Sequence, residues 1–571
     1  MSSNMDRYEK LLLSWCEYLV KMQNEDGGFR CESCGVSHGR ADNAVYPLTF
    51  AYAKTGDAHF LKAAERVMRF REKLTCPDGA VKNDFGSEWK GITVFSVINL
   101  YKTLHYFRNI IPADFRRNLE VCLDSSSQWV FENIRPGFHS YINYYAAAAC
   151  ADAMYGSYKG NEEYTRLSRV LLSYCMENFT QNGLLRGEGQ PHDITTAKGC
   201  AAIDIGYNAE ESLPCLIAAA DILGDFAALE KLCKYAKILL EFMMPDGAWD
   251  NSFGARNNKW TYYGSRTADG CTGVFTQLGG LDPVFYEAAK RNFTLLEKCT
   301  VDGALQGGRY YAVNGQKPCV HHTFCHACSL TDAVIEGIGK YNGKYALPCE
   351  GQGTYIKYFP ELDTYKIRCA DWYATVTGYD FTPGNYIKGA SHASGGSLSM
   401  LYHADMGAVI AGSVYDYRRT EPLNMQNYEG ETRHSSLIPR VEYEKNGKKY
   451  ASCFDMGATI KAEKTGDAIC VTACSRLVLL ADFESEQDAP IVKAEYIFSP
   501  DGIKINVKLN KKADGVKFIL PIIENTAQLF SDSPCHKEKI FFLTGGFAAD
   551  EYTFCVQNMS LYVSIKNTGM V

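Results

Sequence analysis

The first 340 or so residues of the chain repeat a hydrophobic pattern with the period of an α-helix. Apolar residues recur three and four positions apart in twelve segments, of which Tyr8–Gln23 is the first and Thr323–Tyr341 the last. Glycine followed by aspartate separates several of them, as at Gly56 and Asp57, because glycine ends one helix and aspartate caps the next. The pattern therefore predicts twelve successive helices.

These helical segments alternate in character. One set is small and apolar, as in AAAACADA, and the other is more charged, as in EKLCKYAKILLEF. Helices packed on two sides need the first composition and helices facing solvent tolerate the second. Six inner and six outer helices make a closed (α/α)6 toroid. The alternative is an open two-layer solenoid, which does not explain why polar residues collect before alternate helices.

The pattern changes near residue 341. From Gly353 onward, apolar and polar residues alternate with a period of two in many short segments. Asn446 followed by Gly447 is a strong hairpin signal between two of them. The pattern predicts an antiparallel β-sandwich or stacked sheets. We therefore predict two domains, a catalytic (α/α)6 toroid at 1–342 and an antiparallel β-sheet domain at 343–571.

A loop dense in unusual polar residues precedes each predicted inner helix. These six loops recur roughly every 50 to 65 residues. They are Ser37–Asp42, Ser87–Thr93, Phe138–Tyr145, Ala201–Ser212, Asn257–Gly270 and Lys317–Ala327. Helix starts present free backbone N–H groups and the positive end of the helix dipole. We expect the six loops to form the rim of one cavity.

Composition narrows the class of protein. The 571 residues are 46% hydrophobic and 22% charged, which is typical of a soluble globular protein. A net charge of −7 argues against nucleic acid as a partner. No apolar run is long enough to span a membrane, and no export signal is present. The 22 cysteines then indicate reduced thiols in the cytoplasm. Oligomerisation stays open.

Cations, imidazoles and aromatic rings in the six loops indicate an acidic sugar as the ligand. Arginine binds carboxylate or sulfate through paired hydrogen bonds, and aromatic faces suit sugar rings. The predicted binding residues are His38, Arg40, Trp89, Lys90, Asn143, Trp260, Tyr263, Arg266, Arg309, His321 and His326. The alternative is that each cation pairs with a neighbouring acid and that many of the rings belong to the core.

Carboxyl groups in the fourth and fifth loops could hydrolyse a glycosidic bond. Hydrolysis needs one protonated and one ionised carboxyl group flanking that bond. Candidates are Asp204, Glu210, Asp250 and Asp269, with Glu211 beside Glu210. A carboxylate at a helix start can instead serve only as a cap.

Imidazoles and phenols offer a different chemistry. A histidine paired with Tyr144 or Tyr207 could remove the C5 proton of a uronic acid while a polar group neutralises its carboxylate. This reaction is β-elimination, which a lyase performs. His322 lies in the sixth loop, where it could serve as this histidine.

Two cysteine–histidine groups contain ligands that zinc prefers. Cys31-x-x-Cys34 precedes His38, and the sixth loop contains Cys319 and several histidines. Neither group forms two CxxC pairs at the spacing of a zinc ribbon, and glycine-rich phosphate loops are absent from the sequence. We therefore predict no metal and no cofactor.

Several stretches resemble known carbohydrate-active enzymes. KYFPELDTYKIRCADWYATVTG and ASGGSLSMLY are similar to the β-domain of the heparinase II/III-like and alginate-lyase group. RCESCGVSHGRADNAVYP and NNKWTYYGSRTADGC resemble toroidal exo-β-glucuronidases. Both resemblances imply a toroid followed by a β-domain. The first also implies that catalytic Asn, Tyr and His fall on Asn143, Tyr144 and one of His192, His322 or His403.

The leading hypothesis is an exo-acting β-glucuronidase-type hydrolase that trims a uronic acid from an oligosaccharide. In this interpretation Arg40, Arg266 and His322 hold the carboxylate, and two of the four acids act as acid and base. One alternative is a lyase that cleaves next to a uronate by Tyr/His β-elimination. Another is a non-catalytic sugar-binding protein or an epimerase.

Overall fold

A computed structural model describes residues 5–33, 35–138, 140–189, 194–265, 273–351, 353–381, 393–412, 437–479, 485–531, 533–541, 546–557 and 559–567. Within these ranges, twelve helices fill the first half of the chain, as the periodicity predicts. The helical elements are α1 Arg7–Met22, α2 Val45–Thr55, α3 Ala58–Glu72, α4 Thr93–Phe107, α5 Ala113–Asn133, α6 Ile142–Lys159, α7 Glu162–Glu177, α8 Ile205–Tyr207, α9 Leu213–Ile222, α10 Phe226–Leu239, α11 Gly273–Leu278, α12 Pro283–Lys298 and α13 Val320–Ile335. A π-helical turn at Asn208–Ser212 joins α8 to α9, so these two count as one helix.

The helix ends follow local chemistry. Asp57 caps α3 by accepting a hydrogen bond from the His59 amide at 3.1 Å, and Asp225 and Asp282 cap α10 and α12 in the same way. Gly56 ends α2 with a φ of 75°, a left-handed conformation that glycine adopts without steric cost. The Gly–Asp signals in the sequence therefore mark real boundaries.

The inner helices close into a ring. In order, α2, α4, α6, α9, α11 and α13 each pack against the next, and α13 packs against α2. The outer helices cover them, with α3 on α2, α5 on α4, α7 on α6, α10 on α9, α12 on α11 and α1 on α13. This closure confirms the (α/α)6 toroid and excludes the open solenoid. No helix among the described residues is long and apolar enough to cross a membrane.

The second half is built from antiparallel strands, as predicted. The strands are β1 Thr300–Val301, β2 Ala304–Leu305, β3 Tyr355–Phe359, β4 Thr364–Cys369, β5 Trp372–Thr377, β6 Ser397–His403, β7 Gly407–Ala411, β8 Arg440–Lys445, β9 Lys448–Ala451, β10 Thr459–Thr465, β11 Ala468–Ser475, β12 Val478–Leu479, β13 Val492–Ser499, β14 Gly502–Leu509, β15 Lys517–Ile523, β16 Ala527–Ser531, β17 Cys535–Phe541, β18 Ala548–Cys555 and β19 Ser560–Asn567. The short β1–β2 hairpin belongs to the toroid.

The described residues of the β-domain form three sheets. Their strand orders are β3-β4-β5-β6-β7, β12-β9-β8-β15-β18-β17 and β10-β11-β13-β14-β19-β16. Asn446, with a φ of 53°, and Gly447 form the predicted turn between β8 and β9. The predicted domain boundary at 342/343 lies between the short helix Ile338–Lys340 and β3.

The five-stranded sheet joins the two domains. One of its faces packs on the toroid through Phe359, Met400 and Tyr402, and the other packs into the β-domain core through Trp372 and Leu401. Side chains along a strand point alternately to the two faces, so the alternation decides which residues can reach the toroid.

Polar contacts tie the same sheet to the toroid. Lys366 on β4 forms a buried ion pair with Asp250, and Lys198 contacts Asp363 at 2.6 Å. Because both pairs join residues far apart in the chain, they fix how the β-domain sits on the toroid.

Candidate active site

The six polar loops meet around one end of the toroid, as the sequence predicts. Each contacts the next through a pair of side chains. The Arg40 guanidinium lies 3.9 Å from the centre of the Phe95 ring, which joins the first loop to α4 at the second. Trp89 donates a hydrogen bond from Nε1 to the Tyr144 hydroxyl at 3.0 Å, which joins the second loop to the third.

The remaining contacts complete the circle. Asn143 Nδ2 donates to Glu211 Oε1 at 3.0 Å, and the Lys259 Nζ lies 3.2 Å from the Tyr207 hydroxyl. The Tyr263 hydroxyl lies 3.2 Å from His322 Nδ1. The ring centres of His321 and His38 are 4.6 Å apart, which returns to the first loop. We call this closed set of six loops the rim.

Tyr207 lies between two cations. Besides Lys259, the Arg256 guanidinium lies 4.3 Å from the centre of the Tyr207 ring, and all three side chains are buried. Arg256 is held by a buried ion pair with Glu188. Burial raises the pKa of Glu188 to about 7, although Arg256 opposes the shift. Two positive charges in a site shielded from water stabilise negative charge on the phenol oxygen.

Asn143 and Tyr144 start α6 beside Tyr207. Asn143 is buried, and its bond to Glu211 fixes the orientation of the amide. Burial raises the pKa of Tyr144, and Glu211 raises it further, so this phenol stays protonated at neutral pH. Because Trp89 donates to the Tyr144 oxygen, the phenol hydrogen is left to donate elsewhere.

His322 has a defined tautomer. The Tyr263 hydroxyl donates to the Gln306 carbonyl at 2.9 Å, and burial raises the pKa of Tyr263 well above its usual value. A phenol has one hydrogen, so His322 must donate from Nδ1 to the Tyr263 oxygen. The basic nitrogen of His322 is then Nε2.

Glu210 holds the fifth loop in place through a hydrogen bond. Its Oε1 accepts a hydrogen bond from the Ser265 amide at 2.9 Å. A Cβ atom at residue 264 would collide with the Glu210 carboxylate, so the contact requires Gly264. With Glu211, Glu210 also lines a small cavity of about 50 Å³ between the inner helices, which reaches Lys102 and Asp332.

Two of the predicted acids have structural partners. Asp204 caps α8 by accepting from the Tyr207 amide at 2.9 Å, and it also accepts from Asn251 Nδ2 at 3.0 Å. Asp250 pairs with Lys366 and accepts from Thr375 at the interface with the β-domain. The geometry therefore argues against either acid in catalysis. Asp269 and Arg266 lie outside the described residues.

Three predicted binding residues lie away from the rim contacts. Lys90 pairs with Asp78 at 3.0 Å near the surface. Trp260 is a buried core side chain whose Nε1 donates to the Trp249 carbonyl at 2.8 Å. Arg309 lines a separate cleft of about 640 Å³ between the toroid and the β-domain. For Lys90 the alternative of local pairing describes the structure better, and for Trp260 the alternative of core packing does.

Two further histidines predicted from the sequence, His326 and His403, also lie away from the rim contacts. His326 packs behind the rim with Nδ1 2.9 Å from the His322 carbonyl, and burial lowers its pKa to about 4. His403 contacts Trp372, with ring centres 4.6 Å apart, on the face of its sheet that points away from the toroid. His403 is therefore the wrong choice for a catalytic histidine. His192 lies outside the described residues.

Arg256 and Glu188 are not among the site residues predicted from the sequence. Arg256 lies directly before the fifth loop, whereas Glu188 lies well before the fourth loop and follows a glycine in a stretch without hydrophobic periodicity. An arginine directly before the Asn-Asn-Lys of the fifth loop was the available signal.

The architecture and the rim define the class of protein, a toroidal carbohydrate-active enzyme with a β-domain. Residues 12–348 match the ulvan lyase N-terminal domain and residues 356–540 match the ulvan lyase C-terminal domain. The chain belongs to the ulvan lyase family. The broad-specificity ulvan lyase of Formosa agariphila is 33% identical over 548 residues, which cover 94% of this chain and 84% of that protein.

Solved structures support the fold. Heparinase III superposes with a TM-score of 0.54 at 12% identity, over 92% of this chain and 77% of its own. The Streptomyces coelicolor A3 chondroitin AC lyase superposes with a TM-score of 0.56 at 11% identity, over 100% of this chain and 81% of its own.

The family membership bears on the reaction classes predicted from the sequence. The resemblance to heparinase-type enzymes with a toroid and β-domain is confirmed, and the chain is an enzyme of a polysaccharide lyase family. This family supports the lyase alternative over the leading hypothesis of a β-glucuronidase-type hydrolase, which is not supported.

Proposed function

We propose that the chain is a lyase that cleaves a uronic-acid-containing polysaccharide of the ulvan type by β-elimination. The observation that carries the proposal is the position of Tyr207 between Lys259 and Arg256, next to the Asn143–Glu211 pair.

β-Elimination places three demands on a site. The uronate carboxylate must be neutralised so that the C5 proton becomes acidic, a base must take that proton, and the leaving O4 oxygen must receive one. The C4–O4 bond breaks and a C4–C5 double bond forms. Positioned acids and bases contribute about 10²- to 10⁴-fold to such steps.

The residues of the rim match these demands. Tyr207, as the phenolate that Lys259 and Arg256 stabilise, takes the C5 proton. Asn143 uses one amide hydrogen for Glu211 and offers the second to the uronate carboxylate. Tyr144 donates its hydrogen to the leaving oxygen.

His322 takes a binding role in this scheme. Its Nδ1 hydrogen is used by Tyr263, so Nε2 can accept a hydrogen bond from a sugar hydroxyl. The cations of the rim supply attraction for an acidic polymer although the chain carries a net charge of −7. Similarity to the Formosa agariphila enzyme supports ulvan as the first substrate to test.

The experiment compares two products of the same digestion. Purified protein is incubated with ulvan, and ultraviolet absorbance of the unsaturated uronate is followed beside released reducing ends. The proposal expects one double bond for each new reducing end. Reducing ends without a double bond would demonstrate hydrolysis and overturn the proposal.

A matched pair of variants assigns the reaction to the rim. Tyr207→Phe should abolish formation of the double bond. Tyr106→Phe, which changes a partly exposed tyrosine on α4, should leave it unchanged.

Cleavage from one chain end and a cytoplasmic location stay predictions. The size distribution of early products and cell fractionation test them.

A further inference from the structure

We infer that Cys31, His38 and Cys319 bind a divalent zinc-type metal ion where the first loop of the rim meets the start of α13. One ligand atom from each residue lies within 4.8 Å of the others, and all three residues are buried. The inference departs from the sequence prediction of no metal.

The two sulfur atoms are at a distance typical of shared coordination. Cys31 Sγ and Cys319 Sγ lie 3.6 Å apart. A disulfide would bring them to about 2.05 Å, with the backbones drawn together. Two thiolates bound at about 2.3 Å to one tetrahedral zinc ion lie about 3.8 Å from each other. The spacing therefore matches two ligands of one ion.

His38 supplies a polar atom that lacks a partner among the described residues. Its Nε2 is buried without a hydrogen bond there. A buried polar atom left unsatisfied destabilises the fold, so this nitrogen needs a partner. A metal ion between the thiolates and the imidazole provides one. His321 lies against His38, and neither of its ring nitrogens has a hydrogen-bond partner in the described parts of the chain.

The backbone holds the ligands from two distant segments. Cys31 N donates to the Val36 carbonyl at 2.9 Å, and Gly35 N donates to the Cys31 carbonyl at 2.8 Å, which closes a tight turn before His38. Cys319 is the residue directly before α13. Cys34, the second cysteine of the CxxC motif, lies outside the described residues, and the inference does not require it.

Charge is also consistent with an ion. Two buried thiolates without compensation would be costly, whereas two thiolates, a neutral imidazole and a divalent cation sum to zero. The ion would tie the first loop to α13, three residues before His322. The proposed role of the ion is to hold these two segments together, and the inference does not depend on the reaction proposed for the rim.

The test measures metal directly. Full-length protein is purified without chelators, and its zinc content is determined by inductively coupled plasma mass spectrometry. We expect about one zinc per chain in the wild type, because a tightly bound zinc ion stays with the protein during purification. Cys319→Ser and His38→Gln should each lose most of the zinc. Cys175→Ser, which changes a buried cysteine on the outer helix α7, should retain it.

A second measurement, made on the wild-type protein, tests the inference even if the variants fail to fold. Wild-type protein stripped of zinc and given Co²⁺ should show thiolate-to-cobalt charge-transfer absorption, and zinc should displace it. Absence of both zinc and the cobalt spectrum in the folded wild type would overturn the inference. So would full zinc in folded Cys319→Ser, or a disulfide linking Cys31 to Cys319.

Discussion

The Lys259 ammonium lies 3.2 Å from the Tyr207 hydroxyl, and both side chains are buried. Nothing in the sequence spacing joins them, since they are 52 residues apart on two different loops of the rim. A cation at this distance favours the ionised phenol, which is the form that can accept a proton from a sugar.

Lys259→Met should therefore weaken the base without removing it. We expect lower kcat/KM and a shift of the acidic limb of the pH–rate profile to higher pH, because the phenolate loses a stabilising charge. Initial rates on ulvan across pH measure both effects. Lys234→Met, which removes an exposed lysine on α10, serves as the control. An unchanged profile in Lys259→Met would contradict the assigned role of Tyr207.

Glu211 is expected to position Asn143. Glu211→Ala should lower kcat by about a hundredfold, because a displaced amide no longer meets the developing charge on the carboxylate. Glu211→Gln keeps an oxygen that can accept from Asn143 Nδ2, so it should restore most of the rate. Steady-state kinetics separate kcat from KM. An equal loss in both variants would show that Glu211 needs its charge and acts otherwise.

Lys366 should matter for stability. Removing one partner of a buried ion pair costs about 3–5 kcal/mol, so Lys366→Met should lower the free energy of unfolding by that amount. Urea unfolding followed by circular dichroism measures the change. Lys493→Met breaks an exposed pair with Glu495 and should have no measurable effect. If Asp250 were a catalytic acid, Lys366→Met would change the shape of the pH–rate profile as well.

Asp152 on α6 should make the free energy of unfolding depend on pH. Burial raises the pKa of this carboxyl well above its usual 3.8. The native state keeps the proton while the unfolded state releases it, so stability falls as pH rises from 3.8 towards the folded pKa. Asp152→Asn should remove this dependence.

At pH 7 the asparagine variant should be more stable than the wild type, because it avoids the cost of holding a buried carboxyl whose pKa is raised. Thermal unfolding at pH 3 and pH 7 gives the comparison, with the exposed Asp114→Asn as the control. Equal stabilisation at both pH values would point to packing and would contradict the electrostatic explanation.

Local chemistry explains why the fold could be predicted from the sequence. Helix periodicity and caps such as Asp57 and Asp225 depend on residues within a few positions of each other. The inner helices could be separated from the outer ones by composition alone. The same reasoning placed six polar loops around one end of the toroid, which the side-chain contacts bear out.

Individual roles could not be predicted in this way, because they depend on distant partners. The sequence makes Asp250 a candidate catalytic acid. Only the fold brings Lys366, 116 residues further on, beside it. Arg256 and Glu188 are 68 residues apart and only the fold brings them together at Tyr207. His403 is one of the three histidines that the resemblance allows, and only the folded sheet shows that it lies beside Trp372 on the face that points away from the toroid.

The circle of inner helices closes only when α13 packs against α2. His38 and Arg40 emerge early during synthesis, whereas His321 and His322 emerge almost three hundred residues later. The contact between His38 and His321, which closes the rim, therefore joins the earliest loop to the last one. The ring of inner helices is thus complete only after the chain has been synthesised as far as Ile335 and α13 has packed against α2.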